Sequence, residues 1–355
     1  MPGPLPLPLS DRPPRACFAE EILKDGAFER LVRFPAAGDR AQVDRPRTLL
    51  VAPLSGVNPR LMYDMVADLA AVTDLHLLEW RDAADVPNAC GGFGLADCLS
   101  QVLESIQDLG EGVNVVGLCQ SALPALAATA LLASSRTLPT PRSLILIGGK
   151  IDPRINPTAG DRFATGHALD WFRAHAITEV GPGHPGVGRP VYAKATQEKV
   201  LWSYVNRHLA TGCDVIAKTL HDDGLDPAGH PFLASLGSLI NVPAEFFLDV
   251  ITTVYHGNAL PEGTMTWFGL PVDTALIQDT ALLTVEGGKD DIAGPGQCRA
   301  AHDLCTGIPE HKRAHRLIDG AGHFDLFHGA IWHDQVRPLI SQFISQCADI
   351  DPRRL

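Results

Sequence analysis

Several features that mark other protein classes are missing from this 355-residue chain. No apolar run reaches the ~18 residues that a helix needs to cross a bilayer, so no membrane span is expected. The start, Met1-Pro2-Gly3-Pro4-Leu5-Pro6-Leu7-Pro8, lacks the basic stretch of a secretory signal and has proline at every second position. Eight cysteines, at 17, 90, 98, 119, 213, 298, 305 and 347, form no CxxC pair and no Cys/His spacing suited to a metal. Neither a disulfide framework nor a metal centre is expected, and a reduced, cytoplasmic setting is the default. Lysine and arginine are not clustered, and the net charge of -12 excludes nucleic acid as an expected partner. Gly91-Gly92-Phe93-Gly94 has no strand before it and no lysine after it, so it reads as a plain loop rather than a phosphate cradle. No cofactor is implied, and no fixed-period repeat is visible.

What is present is an alternation of short apolar strands with helical patterns. Residues 1–15 are proline-rich and read as an extended arm. Strands are expected at Arg47 to Pro53, Leu75 to Trp80, Val113 to Leu118, Ser143 to Ile147, Ala281 to Val285 and, more weakly, His315 to Ile318. Helical patterns cover Leu61 to Ala70 and Leu95 to Gln107, with a long C-terminal candidate over Trp332 to Cys347. Strands buried on both faces and separated by helices imply an α/β fold with a mostly parallel sheet. Residues 150–275 break this rhythm, with helical patches at Gln197 to Leu209 and Ala244 to Tyr255. They read as a cap inserted between core segments 16–149 and 276–350, packed over the strand C-terminal ends where ligands bind.

The stretch from Val113 to Pro124 carries the most chemistry. It reads as a buried strand, a sharp turn and the start of a helix, the layout of a G-x-S-x-G nucleophile elbow with Cys119 in the nucleophile's place. Gly117 fills the first small position, Ser121 stands where the second glycine is usual, and Pro124 falls in the first helical turn, where a missing N–H is harmless. A helix N-terminus behind Cys119 favours the thiolate. The bland alternative is a buried cysteine at an apolar junction, and Ser121 is a rival nucleophile.

Sheet hydrolases present nucleophile, acid and base in that order. Strand Leu282 to Val285 ends in Glu286-Gly287-Gly288-Lys289-Asp290, which makes Asp290 the candidate acid, with Asp291 its exposed neighbour; a turn-stabilising aspartate is the bland reading. Gly320-Ala321-Gly322-His323 then supplies the base in a glycine-flanked loop, with His328 as a nearby alternative. The oxyanion hole would use backbone N–H groups of Gln120, next to the nucleophile, and of Leu54 or Ser55, after the first strand. Trp171, Phe172, Trp202, Phe246, Phe247 and Trp267 in the insertion either line an apolar substrate channel or form its ordinary core. Together these residues point to a thiol-dependent ester hydrolase.

Beyond spacing, the chain resembles the intracellular polyhydroxyalkanoate (poly-3-hydroxybutyrate) depolymerases, relatives of the polyhydroxyalkanoate synthases. The likeness lies in Val51 to Gly56, Gly117-Leu118-Cys119-Gln120, Ile147 to Thr158, Asp170-Trp171-Phe172-Arg173, Asn206-Arg207-His208-Leu209, Ala244-Glu245-Phe246-Phe247 and Ala259 to Gly263. It continues through Thr284 to Gly287 with Asp290-Asp291-Ile292, Ala300 to Cys305, and Gly322-His323. The resemblance implies an α/β-hydrolase fold with a cap, a Cys119–Asp290–His323 triad, and hydrolysis of intracellular polyhydroxybutyrate or its 3-hydroxybutyrate oligomers. It leaves open association with polyester granules and a homodimer. Lys150 and Gly181-Pro182-Gly183 depart from the family pattern. The segment before the first expected strand, about 45 residues and rich in proline, is shorter than in relatives, which turns the substrate expectation toward soluble oligomers. A synthase-like acyltransferase is the alternative within catalysis; Asp291 stands where the synthases carry a second histidine, which favours hydrolysis. A granule-binding protein without activity is the alternative outside catalysis.

Overall fold

The computed structural model describes residues 19–35, 45–55, 63–135, 137–200, 203 and 239–349. The proline-rich arm and Trp202 lie outside the described residues, as do residues 201 and 204–209 of the helical patch expected over 197–209, whose first residues, 197–200, are helical. The core is an eight-stranded sheet whose strands are β1 (Glu21–Asp25), β2 (Glu29–Phe34), β3 (Arg47–Val51), β4 (Asp74–Trp80), β5 (Asn114–Leu118), β6 (Ser143–Ile147), β7 (Ala281–Gly287) and β8 (Arg313–Ile318). Their order across the sheet is β1-β2-β4-β3-β5-β6-β7-β8. β2 pairs antiparallel with both β1 and β4, and every other pairing in the sheet is parallel.

The central strands show why the chain folds this way. In β5, β6 and β7 every residue is buried, as expected of parallel strands covered by helices on both faces. Helix α1 (Tyr63–Val72) crosses from β3 to β4, α2 (Leu95–Leu109) from β4 to β5, and α3 (Ala122–Ser135) from β5 to β6. In α2, Leu95, Cys98, Leu99, Val102, Ile106 and Leu109 recur at helical spacing and are buried, and this face packs on α3. Helix α3 is buried nearly all round, which its many alanines allow.

The hairpin β1–β2 was not foreseen, and it overturns the reading of about 45 residues before the first strand. β1 is an exposed edge strand, and β2 mixes Arg30 and Arg33 with buried Leu31, Val32 and Phe34, so neither shows the continuous apolar run of its inner neighbours. At the other end, a wider-turned helical segment, Trp332–Val336, leads into α7 (Arg337–Asp349). Trp332 is fully buried and its indole N–H donates to Asp68 of α1 at 2.8 Å, which ties the C-terminal helix to that face of the sheet.

Between β6 and β7 the chain leaves the sheet. It forms α4 (Ala159–Gly166), α5 (Leu169–His175), three short antiparallel strands (Ile177–Glu179, Pro190–Tyr192, Val242–Pro243), and α6 (Ala244–Val250), which continues with wider turns as Ile251–His256. A hairpin, Thr266–Trp267 with Leu270–Pro271, follows. Buried Arg189 locks this insertion to the loop after β4: its guanidinium donates to the carbonyls of Val86 (3.2 Å), Gly91 (2.7 Å) and Pro87 (2.8 Å) and lies over the Phe28 ring. Replacing Arg189 by methionine keeps the bulk but orphans three carbonyls. Urea unfolding should show a loss of about 2–4 kcal/mol.

Candidate active site

β5 ends at Leu118 and the chain turns at once into α3, with Cys119 at the bend. Cys119 holds φ at +50°, a left-handed conformation that costs any residue with a Cβ and that thrusts the side chain out of the turn. The close approach of strand and helix requires Gly117, because a Cβ there would lie 3.0 Å from Ala122 Cα and 3.0 Å from Ala125 Cβ. Cys119 is partly exposed, whereas Cys98, Cys298, Cys305 and Cys347 are buried thiols.

Ser121 serves as a brace. Its hydroxyl is buried, accepts the Leu118 N–H at 2.8 Å, and shares its proton between the carbonyls of Val51 (2.7 Å) and Leu118 (2.9 Å). It thus joins the end of β3 to the elbow. Ser121→Ala would strand Leu118 N–H and Val51 C=O in the interior. A loss of about 1–3 kcal/mol in chemical denaturation is expected.

His323 Nε2 lies 3.2 Å from Cys119 Sγ, and His323 Nδ1 lies 2.7 Å from Asp290 Oδ2. An ionised carboxylate only accepts, so Nδ1 carries the proton of that bond and Nε2 faces the sulfur. The other oxygen of Asp290 accepts the N–H groups of Ile292 (2.9 Å) and Ala293 (2.8 Å), which fixes the carboxylate in place. The loops carrying Asp290 and His323 are zipped together: Gly288 N–H donates to Ile318, and Lys289 N–H donates to Ala321. Gly287 allows this contact, since a Cβ there would lie 2.6 Å from the Ala321 carbonyl oxygen. Burial alone would push the His323 pKa down, but Asp290 and the Cys119 sulfur together raise it to about 10. Phe324 and Phe327 meet the imidazole edge-on and wall it with apolar surface.

The remaining residues singled out from sequence sit in different surroundings. Gln120 follows Cys119 at the head of α3, and its side-chain Oε1 is buried without a hydrogen-bond donor among the described residues. Leu54 is buried and Ser55 exposed in the turn after β3. Phe246 packs in the main core, and Phe172 in a smaller cluster with Ala164 and Ile251, so both are spent on packing. Trp171 is half-buried, stacks on His175 and meets His167 at a tilt, while Phe247 packs between Phe172 and Tyr192. Trp267 donates its indole N–H to Ser100 Oγ (3.0 Å) and Ala96 O (3.2 Å) of α2. Sequence reasoning missed a polar cluster of Lys150, Asp161 and Tyr255, which abuts the elbow. Its only signal was a lysine placed directly after the Gly148-Gly149 turn that ends β6.

Sheet order, the single antiparallel strand and the tight strand–turn–helix bend at Cys119 give an α/β-hydrolase fold. Solved structures agree on the fold. A bromoperoxidase from Bacillus anthracis superposes with a TM-score of 0.52 at 12% identity, covering 93% of this chain and 100% of that one. A carboxylesterase structure from Nitrososphaera gargenis gives 0.50 at 12% identity, covering 90% and 96%, and a hydrolase from Pseudomonas aeruginosa PA01 gives 0.50 at 12%, covering 94% and 98%. A search of curated protein sequences finds no match. The family described as PHB de-polymerase C-terminus matches residues 148–348, more than half of the chain. The chain belongs to this family and is a carboxylic ester hydrolase. Among the described residues no helix is long and apolar enough to cross a membrane.

Proposed function

We propose that the protein is a thiol-dependent depolymerase that hydrolyses the ester bonds of poly(3-hydroxybutyrate) or of its 3-hydroxybutyrate oligomers in the cytoplasm, including polymer at a granule surface. The observation that carries this reading is the contact chain from Cys119 Sγ to His323 Nε2 (3.2 Å) and from His323 Nδ1 to Asp290 (2.7 Å), built on an elbow in a PHB depolymerase relative.

The reaction follows from that geometry. His323 takes the Cys119 proton, and the thiolate attacks the ester carbonyl carbon. The oxyanion is held by the backbone N–H of Gln120 and that of Leu54 or Ser55. As the carbon–oxygen bond breaks, imidazolium protonates the alkoxide, and the hydroxyacyl alcohol departs. Water, deprotonated by the same imidazole, then cleaves the thioester to carboxylate and thiol. Asp290 fixes the imidazole's tautomer throughout and offsets its positive charge. In this reading the insertion between β6 and β7 is a cap.

The test is product analysis. Purified protein with amorphous poly(3-hydroxybutyrate) granules, and separately with defined oligomers, is expected to release 3-hydroxybutyrate or short oligomers. With 3-hydroxybutyryl-CoA instead, CoA release without polymer supports hydrolysis, and polymer growth would replace this reading with an acyltransferase. Binding to granules without any product would leave a binding protein.

A further inference from the structure

A buried ammonium group stands beside the reacting centre, and the hydrolytic steps above do not use it. Lys150 follows the Gly148-Gly149 turn, which runs between nucleophile and base. A Cβ on Gly149 would lie 3.4 Å from the Cys119 carbonyl oxygen, and one on Gly148 would lie 3.2 Å from His323 Cε1. The Lys150 side chain is 16% exposed and pairs with Asp161, whose side chain is 1% exposed. Asp161 is already well supplied: Thr158 N–H donates to it at 2.7 Å and Gln297 Nε2 at 2.8 Å. Lys150 is less fully paired. Its ammonium carries three donors, and the partners seen for it among the described residues are two, the Asp161 carboxylate and the Tyr255 side chain, whose ring centroid lies 5.6 Å away.

The loop holding Lys150 is fixed in place. Ile151 and Asp152 N–H both donate to Gln297 O at 3.2 Å, and Asn156 Nδ2 donates to Pro295 O at 2.7 Å. Burial would strip the charge from Lys150, but Tyr255, Asp161 and Cys119 act in the opposite sense and keep it cationic. A desolvated cation with one donor to spare beside a reacting centre is suited to an anion. The interior of a polyester chain offers none. The free acid end of a hydroxyacid oligomer does, and there the leaving oxygen and the carboxylate belong to the same short unit.

We propose that Lys150 binds the terminal carboxylate of a hydroxyacid oligomer, so that the ester bond nearest the acid end is presented to Cys119. This rests on the ester-hydrolase reading of the site. In the acylation step the sulfur–carbon bond forms and the carbon–oxygen bond breaks. His323 passes its proton to the departing oxygen, and the released hydroxy acid is the unit held by Lys150. The enzyme then works inward from the acid end and favours short, charged oligomers over uncharged mid-chain segments.

The test compares the 3-hydroxybutyrate dimer as free acid and as methyl ester, in wild type, Lys150→Met and Lys150→Arg. Wild type is expected to prefer the free acid. Loss of one charge-assisted contact should lower the acid-to-ester ratio of kcat/KM about 10- to 100-fold in Lys150→Met, chiefly through KM for the acid. Lys150→Arg should restore part of the ratio, which a merely structural lysine would not do. An unchanged ratio, or equal slowing of both substrates, overturns the proposal and leaves the hydrolase reading standing. If wild type cleaves neither compound, or Cys119→Ala cleaves both as fast, the hydrolase reading and the proposal fall together. Should Asp161 left alone prevent folding, the paired change Lys150→Met with Asp161→Asn makes the same comparison.

Discussion

Cys119→Ala is expected to lower ester hydrolysis by about four orders of magnitude or more while leaving the thermal unfolding transition nearly unmoved. The first half follows from the contact chain: without sulfur, His323 and Asp290 have no nucleophile to activate, and only the oxyanion donors and substrate binding remain. The second half follows from the elbow itself. Alanine carries the same Cβ through the +50° φ, and the Cys119 sulfur is partly exposed rather than packed in the core. Hydrolysis of a chromogenic short-chain ester, alongside circular dichroism of the same preparation, checks both. Wild-type rates from the alanine variant would remove Cys119 as nucleophile. Cys119→Ser is a weaker probe, because a hydroxyl in the same place retains slow attack.

Much of this architecture was legible because burial on both faces leaves a plain mark. Val115-Val116 and Leu144-Ile145-Leu146-Ile147 are continuous apolar runs, and no half-solvated strand reads that way. The hairpin β1–β2 was illegible for the converse reason. β1 lies at an edge with nearly every residue exposed, and β2 carries Arg30 and Arg33, which reach outward to Asp25 and Asp74. The insertion's short strands, such as Ile177–Glu179 and Pro190–Tyr192, are too brief for any periodicity to register.

The candidate site divides along the same line. Cys119, Asp290 and His323 each sit just past a strand with a glycine close by, so chain order and turn chemistry single them out before any distance is known. Residues that act through side-chain reach cannot be found that way. Ser121 occupies a position where a glycine is usual, and only the Val51 carbonyl at 2.7 Å explains a serine there. Tyr255 is far in sequence from Lys150 and Asp161, and the three meet only because the insertion folds back to the end of β6. For the aromatic residues composition left a channel and an ordinary core both open, and Phe246 and Phe172 are taken up by core packing.

Asp290→Asn should cut kcat about 10⁴-fold and also lower the pKa of His323. In the wild type the carboxylate beside Nδ1 and the sulfur beside Nε2 hold the His323 pKa at about 10, against the pull of burial. The imidazolium that forms when His323 takes the thiol proton is therefore stabilised against burial. Asparagine keeps the shape but removes the charge, so burial weighs more heavily and His323 gives up its proton at lower pH. Titration of the His323 imidazole followed by NMR should show its midpoint displaced downward in the variant. Stability carries the same sign. A histidine whose folded pKa is raised contributes fully below its unfolded value near 6.5 and loses that contribution as pH climbs toward about 10. The gap in unfolding free energy between wild type and Asp290→Asn should thus be widest in mildly acidic buffer, where His323 is charged in both the folded and unfolded chains. It should close by pH 10, and a gap independent of pH would show that Asp290 holds its loops without charging His323.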